Sequence, residues 1–423
     1  MEVQLKKIIT LGLIMASFSS FSSTKISKTH FGSLDINKLH TGDLLNEKLG
    51  NAPRFAVEHK VAINFMTKQF EKSGDNYIIK HRVNADNAVS LNFAFDFIMS
   101  KNSKVKIYST NFSHSIRSFT FDDNNIDNEL WTPVIMDNDV IVELTVPANE
   151  VSNVKFGIKQ INQGYRTFGQ STEKSGSCNV DVACKESTGW ESEVNSVGVI
   201  STGGSTFCTG FMVNNTKNDK TPYFMTADHC RITSSSAKSL VVYWNYQSSK
   251  CGGRRDGKKD QFNTGAQFLS SSDKSDFSLV RLNKVPKPAW NVSYAGWDRS
   301  GVDAISATAI HHPATDEKSI SFENDPTTVT GYLKEAIPGD STHVRVENWD
   351  VGTTEPGSSG SPLFDQNHRV IGQLHGGYAS CSSKTSDWYG RFYTSWEGEG
   401  NPRSRLKDWL DQDGIGSITT DTL

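Results

Sequence analysis

A chain of 423 residues exceeds what one hydrophobic core usually holds, so more than one domain is expected. Its residues are 36% hydrophobic and 22% charged, which excludes a polytopic membrane protein and a charge-rich disordered chain. The formal net charge of -3 offers no basic surplus for nucleic acid as a partner.

The first residues have an export layout. Lys6 and Lys7 precede an apolar run from Ile8 to Phe18, and Ser19 to Ser23 supply small residues for cleavage. The run is too short to span a bilayer comfortably, and no stop-transfer charges follow it. Residues 1–23 are therefore read as a cleaved signal peptide, the protein as secreted, and the membrane as no partner. The six cysteines agree: Cys178, Cys184, Cys208, Cys230, Cys251 and Cys381. None forms a C-x-x-C pair, so three disulfides are favoured over a zinc module, with all fifteen connectivities open.

Residues 24 to about 174 lack cysteine and carry alternating strand patterns at Tyr77 to Val83, Val105 to Tyr108 and Val140 to Val146. No motif in this half ties to chemistry. From Ser175 onward Gly, Ser and Thr rise. Short strands are expected at Ser196 to Ile200, Tyr223 to Thr226, Leu240 to Tyr246, Phe277 to Leu282, Val344 to Val346 and Val370 to Leu374. Turn residues separate them, which suggests an antiparallel barrel or sandwich rather than βαβ units. A C-terminal helix is expected, with Asn401 as its cap, Pro402 at its first position, Leu406, Trp409 and Leu410 as its apolar face, and Gly414 as its stop.

Three segments carry chemistry: Phe224-Met225-Thr226-Ala227-Asp228-His229-Cys230, Ser275-Asp276-Phe277-Ser278-Leu279-Val280, and Glu355-Pro356-Gly357-Ser358-Ser359-Gly360-Ser361-Pro362-Leu363. A hydroxyl is a poor nucleophile at neutral pH. It needs a base in reach, and the base needs a carboxylate to hold its tautomer and stabilise its cation. His229 can be the base, Asp276 the orienting carboxylate and Ser359 the nucleophile. Gly357 permits a sharp turn, so that the N–H groups of Gly357 and Ser359 can meet one developing oxyanion. Singly, each segment also reads as an ordinary turn or strand start; it is their combination and order that point to acyl transfer. The order His, Asp, Ser and the missing G-x-S-x-G elbow disfavour a lipase or esterase of the α/β-hydrolase type.

These residues resemble the trypsin-like serine proteases, with His229 in T-A-x-H-C and Ser359 in G-S-S-G-S-P. The resemblance is closer to the secreted bacterial lysyl endopeptidases. It runs through Ser175-Gly176-Ser177-Cys178-Asn179, Cys208-Thr209-Gly210, Val242-Tyr243-Trp244-Asn245-Tyr246, Ala295-Gly296-Trp297-Asp298-Arg299, His311-His312-Pro313 and Gly372-Gln373-Leu374-His375-Gly376-Gly377. Tyr389-Gly390-Arg391 and Arg405 to Leu410 continue it, so it covers nearly all of residues 175–423.

The resemblance implies an all-β fold, two six-stranded antiparallel β-barrels with a C-terminal helix, preceded by a β-rich propeptide. Residues 24–174 would be that propeptide and 175–423 the protease domain. It implies the triad His229, Asp276 and Ser359, and the disulfides Cys178–Cys381, Cys184–Cys251 and Cys208–Cys230. Trypsin's pocket carboxylate position is Thr353 here. The lysyl branch instead places its carboxylate before Y-G-R, which is Asp387. His375 matches that branch's pocket-side histidine, and Tyr332 aligns with the tryptophan that stacks on it.

The expected activity is thus that of a secreted serine endopeptidase, made as a zymogen, which cuts peptide bonds on the carboxyl side of lysine. Its partners would be lysine-containing protein or peptide substrates and its own propeptide. It would work as a monomer, with no cofactor and no metal. The mature start implied by the match falls between Lys174 and Ser175, so an enzyme that cuts after lysine could release itself there. Arginine or other primary specificity, and an inactive protease-fold binding module, are the alternative readings.

Overall fold

The computed structural model describes residues 26–423, apart from 49, 69, 167–175, 253–255 and 336–340. The expected signal peptide 1–23 and the expected cut between Lys174 and Ser175 lie outside the described residues. Among the described residues no helix is long and apolar enough to cross a membrane.

The alternating segments of the first half lie side by side in one sheet. Asn76–Ala85, Asp139–Pro147 and Lys104–Ser109 are successive neighbours, flanked by Ser27–Phe31 and Ser115–Thr120. Along Asp139–Pro147 every second side chain is buried, so the sequence alternation becomes one dry face. A second sheet runs in the order Ala56–Asn64, Lys155–Gly164, Ser90–Ile98, Glu129–Trp131. Phe95, Phe97, Phe156 and Ile107 bring the two sheets into one core.

The second half builds two further sheets. The first runs Phe262–Thr264, Val241–Tyr243, Val197–Thr202, Thr206–Met212, Tyr223–Ala227, Phe277–Leu282, Ala266–Ser272. Its two edges are consecutive pieces of one strand, bent at Gly265 with φ +75°. A bend at that position closes the sheet into a six-stranded barrel, and glycine meets the positive φ at no Cβ cost. The second sheet has the ladder Ser319–Glu323, Ala307–His311, Pro362–Asp365, Val370–Gly377, Asp387–Arg391, His343–Val346. The chain leaving His343–Val346 pairs back through Val351 with Phe322, which closes this barrel too. Short strands at Val180–Asp181, Trp297–Asp298, Thr328–Thr330 and Thr419–Thr420 extend it. The chain is thus all-β in the expected two-barrel arrangement.

The helix prediction needs correction. Residues 401–404 form a turn, with Ser404 N–H bonded to Asn401 O at 3.0 Å, and the helix spans only Lys407–Leu410. The Asn401 side chain accepts from Arg403 N–H within that turn instead of capping a helix. The apolar positions still anchor, because Leu406 and Leu410 are fully buried. A helix at Phe392–Glu397 had no sequence signal; it forms because Phe392 and Trp396 stack on the buried Trp297.

The N-terminal unit shares its core with the first barrel: Val199, Phe207, Val241, Tyr243, Tyr246 and Phe262 belong to the same buried cluster as the sandwich residues. Backbone pairing joins them as well. Phe55 N–H donates to Ser205 O at 2.7 Å, and Phe207 N–H donates to Pro53 O at 3.0 Å. Deeper in the contact, Val134 N–H donates to the Tyr243 hydroxyl at 3.1 Å. Tyr243→Phe strands that buried donor, and should destabilise the full-length Ser359→Ala chain by about 1–3 kcal/mol in chemical denaturation. The same substitution in isolated residues 175–423 should cost less, because Val134 is absent there; equal losses would contradict this interface.

Candidate active site

His229 stands in a single 3-10 turn, Asp228–Cys230, which leaves the strand Tyr223–Ala227. The Cys208–Cys230 disulfide, with Cα atoms 6.3 Å apart, pins that turn to the strand Thr206–Met212. The other disulfides pair as the resemblance implied, Cys178–Cys381 and Cys184–Cys251, with Cα separations of 5.5 and 4.4 Å. All three separations lie in the range a disulfide can bridge.

Asp276 precedes the strand Phe277–Leu282 and holds a left-handed backbone, φ 51°, which aspartate tolerates better than most residues. Its carboxylate meets His229 at two points. Oδ1 accepts the His229 backbone N–H at 2.9 Å, and Oδ2 lies 2.8 Å from Nδ1. A carboxylate only accepts, so Nδ1 carries the proton and a neutral ring keeps its lone pair at Nε2, the state a general base needs. Burial opposes the imidazolium, but the Asp276 charge, its hydrogen bond and nearby Asp228 outweigh burial and raise the His229 pKa.

Ser359 lies in the loop after Glu355. Thr209 N–H donates to Ser359 O at 2.8 Å, and the Thr209 hydroxyl donates to Gly357 O at 2.9 Å. Gly360 N–H donates to Leu374 O at 2.8 Å, so the loop is held between the barrels. Gly357 has φ +98°, and a Cβ there would strike the Phe207 ring; at Gly360, φ +81°, it would strike Thr226 and the Thr209 carbonyl. Beneath the loop the Ser358 hydroxyl lies 2.8 Å from His311 Nδ1, and burial pushes His311 down to about 3, so this support is neutral. Among the described residues the N–H groups of Gly357 and Ser359 find no acceptor. Two unspent donors flanking a hydroxyl suit an oxyanion. The described hydrogen bonds of the His229 ring run to Asp276; none joins it to the Ser359 hydroxyl in this arrangement.

Asp387 begins the strand Asp387–Arg391 and is 1% exposed. Its Oδ2 accepts Trp349 Nε1–H at 2.8 Å and the Thr354 hydroxyl at 2.7 Å. Burial raises its pKa to about 6 against these bonds and one from the Ala379 backbone. No cationic side chain among the described residues forms an ion pair with it. Gly377 stands opposite Asp387 in one flanking strand, where a Cβ would strike its Oδ1, and Val346 stands opposite it in the other. Thr353 is fully buried and leaves trypsin's acidic position neutral.

Tyr332 and His375 stack with ring centroids 3.6 Å apart and 3° between planes. This pair was expected on the substrate side of the pocket. It also lies against Asp276: His375 Nδ1 lies 3.8 Å from Asp276 Oδ2, and its ring lies 5.5 Å from that of His229. The ligand atoms of His229, Asp276 and His375 lie within 4.8 Å of one another, a spacing their mutual hydrogen bonding and stacking already require.

Two residues escaped the sequence reading. Glu355 was quoted only as part of the serine loop, yet its carboxylate accepts Gly176 N–H at 3.0 Å and Asn179 Nδ2–H at 2.8 Å, tying the chain just past Ser175 to that loop. His343 lies in no motif; strand pairing alone brings it to His375, Nε2 to Nδ1 at 3.0 Å.

A model of the family described as lysyl endopeptidase, C-terminal domain, matches residues 172–390, just over half of the chain. A lysyl endopeptidase of Pseudomonas aeruginosa is 30% identical over 290 residues, which are 62% of this chain and 60% of that protein. Among solved structures, a Glu endopeptidase in complex with MPD is 20% identical, with TM-score 0.33, covering 51% of this chain and 92% of its own. The HtrA-type protease AlgW with tripeptide is 16% identical, with TM-score 0.35, covering 52% and 62%. The matched range contains His229, Asp276, the serine loop and all six cysteines, and on this match the chain belongs to the lysyl endopeptidase family.

Proposed function

We propose that this protein is an exported serine endopeptidase that cleaves on the carboxyl side of lysine. The observation that carries the reading is the pairing of two arrangements: Asp276 doubly bonded to His229 beside backbone donors without an acceptor, and a buried carboxylate at Asp387 without an ion-pair partner, both among the described residues. The first suits acyl transfer. Ser359 Oγ attacks the carbonyl carbon, and its proton passes to His229 Nε2. The Gly357 and Ser359 N–H groups hold the oxyanion, and the imidazolium protonates the leaving amine. Water then repeats the sequence on the acyl-enzyme.

The second selects the substrate. A buried carboxylate without a partner is costly, and a lysine ammonium entering the pocket supplies the missing charge. A short pocket would favour the compact ammonium over the planar guanidinium. The N-terminal unit is proposed as the propeptide. Its segment Pro53 to Phe55 pairs with Ser205 to Phe207, at the start of the strand Thr206–Met212 that holds Thr209 against the serine loop. Export through residues 1–23 and self-release after Lys174 complete the reading.

Four outcomes are expected. Ser359→Ala should cut the turnover of a lysyl amide by about 10⁴-fold or more, and unchanged turnover would refute the triad. Asp387→Asn should lose about 3–5 kcal/mol of preference for lysyl over neutral amides, measured as kcat/KM ratios. Because only the ionised Asp387 attracts an ammonium, the affinity of Ser359→Ala for butylammonium should fall as the pH drops through about 6; a flat profile would remove Asp387 from the pocket. N-terminal sequencing should find wild type starting at Ser175 and the Lys174→Gln chain uncut there; a cut at 174 in both would refute self-release.

A further inference from the structure

The serine loop opens with a tight turn. Ser358 N–H donates to Glu355 O at 2.9 Å, which closes four residues with Pro356 and Gly357 at the centre. The proline ring fixes a negative φ, and Gly357 holds φ +98°, so the turn is of type II. A type I turn differs from it by a half rotation of the central peptide, and Pro-Gly permits both forms. Here that peptide carries the Gly357 N–H, one of the two oxyanion donors. The half rotation would turn the N–H away and bring the Pro356 carbonyl, a repulsive acceptor, to the same side. The local sequence leaves the donor's direction open, so a distant contact must set it.

That contact comes from the second barrel. The strand Ala307–His311 pairs antiparallel with Pro362–Asp365, so the chain leaving His311 runs beside the chain that enters Pro362. There Asp316 N–H donates to Pro313 O at 2.7 Å, with Ala314 at φ 50° and Thr315 at φ 64° between them. Two left-handed central residues make a type I′ turn, whose preferred residues are Asn and Gly. Ala and a β-branched Thr depart from that preference, so the surroundings must hold the turn in shape. His312 N–H donates to the Thr209 hydroxyl at 3.1 Å, and His312 Nδ1–H donates to Asp316 O at 3.0 Å. Just beyond, the fully buried Lys318 donates from Nζ to Val194 O at 2.7 Å. Held this way, the turn aims Ala314 N–H at Pro356 O, 2.8 Å away. Among the described residues no other group donates to that carbonyl.

We infer that Ala314 is a positioning residue for the oxyanion hole: its N–H holds Pro356 O and so keeps the Gly357 N–H turned toward the developing oxyanion. This role rests on the triad reading above and deepens it. The backbone acts here, not the methyl group. The peptides on either side of the central one have their own anchors. Gly357 O accepts the Thr209 hydroxyl at 2.9 Å, and Ser358 O accepts Ser361 N–H at 3.0 Å. Loss of the Ala314 N–H therefore frees the Pro356–Gly357 peptide and leaves Ser359 and the Asp387 pocket in place.

The test compares Ala314→Pro, which has no N–H to give, with Ala314→Gly, which keeps it and takes a positive φ freely. Each full chain is matured after Lys174 by tagged wild-type enzyme, which is then removed. The probes are a lysyl amide, butylammonium and a peptidyl lysine aldehyde. Butylammonium fills only the Asp387 pocket. The aldehyde reaches the hole as well: Ser359 Oγ bonds to its carbonyl carbon, the π pair of the C=O bond moves onto oxygen, and the Ser359 proton passes to His229 Nε2. Ala314→Pro should lower kcat and aldehyde affinity by about 10²-fold each, with KM and butylammonium affinity unchanged. Ala314→Gly, the conservative variant, should behave as wild type. Wild-type kcat and aldehyde affinity in Ala314→Pro, or an equal loss in both variants, would overturn the inference. A second measurement needs no substitution at 314 and so stands even where Ala314→Pro does not fold. In the full chain bearing Ser359→Ala, the Ala314 amide should exchange with deuterium as slowly as the amides of the strand Ala307–His311; exchange at the rate of a free amide overturns the inference. Either failure leaves the triad reading intact, whereas full activity in Ser359→Ala overturns the triad itself.

Discussion

The arrangement turns on one buried carboxylate, Asp276, held at the seam of two barrels. Its loop belongs to the first barrel but is gripped by the second. Gln373 Nε2 donates to both the Ser275 and Asp276 carbonyls, at 2.7 and 3.0 Å, and the Ser395 hydroxyl meets that of Ser275 at 2.9 Å. Asp276 O in turn accepts Asp228 N–H at 2.9 Å, next to the base. A carboxylate kept 2% exposed is expensive unless its lone pairs are used, and both of its oxygens are spent on His229. The cost of burial is thus turned into orientation, and the left-handed backbone at Asp276 is tolerated because these contacts over-determine it.

The second buried carboxylate follows the opposite logic. Among the described residues Asp387 has hydrogen bonds but no ion-pair partner, and burial raises its pKa to about 6. Two carboxylates in one fold are thus separated by environment: one is bonded internally to an imidazole, and the other is the one the proposed function gives to the substrate's cation.

Much of this was legible before any coordinates. The strings around His229, Asp276 and Ser359 are local, and each side chain is set by its immediate backbone turn. Alternation gave Asn76–Ala85, Lys104–Ser109 and Asp139–Pro147 because each buries one face. Other features were hidden because they depend on distant partners. Barrel closure at Gly265 depends on both edges of the sheet. The helix Phe392–Glu397 depends on Trp297, which lies far back along the chain, and the turn at 401–404 won over a helix because the Asn401 side chain bonds Arg403 and Ser404 instead. His343 has no motif of its own; strand pairing alone sets it opposite Gly390 and within reach of His375. The docking of Pro53 to Phe55 onto a barrel edge likewise left no mark in either segment, since backbone pairing needs no particular side chain.

The central claim is that a serine activated by His229 acts beside a pocket charged by Asp387. Mapping every cut that the purified, processed protein makes in an unfolded substrate protein, by mass spectrometry of the fragments, tests it most directly. The account predicts new carboxyl termini at lysine alone, with no dependence on added metal. Cuts spread over other residues, or none at lysine, would contradict it.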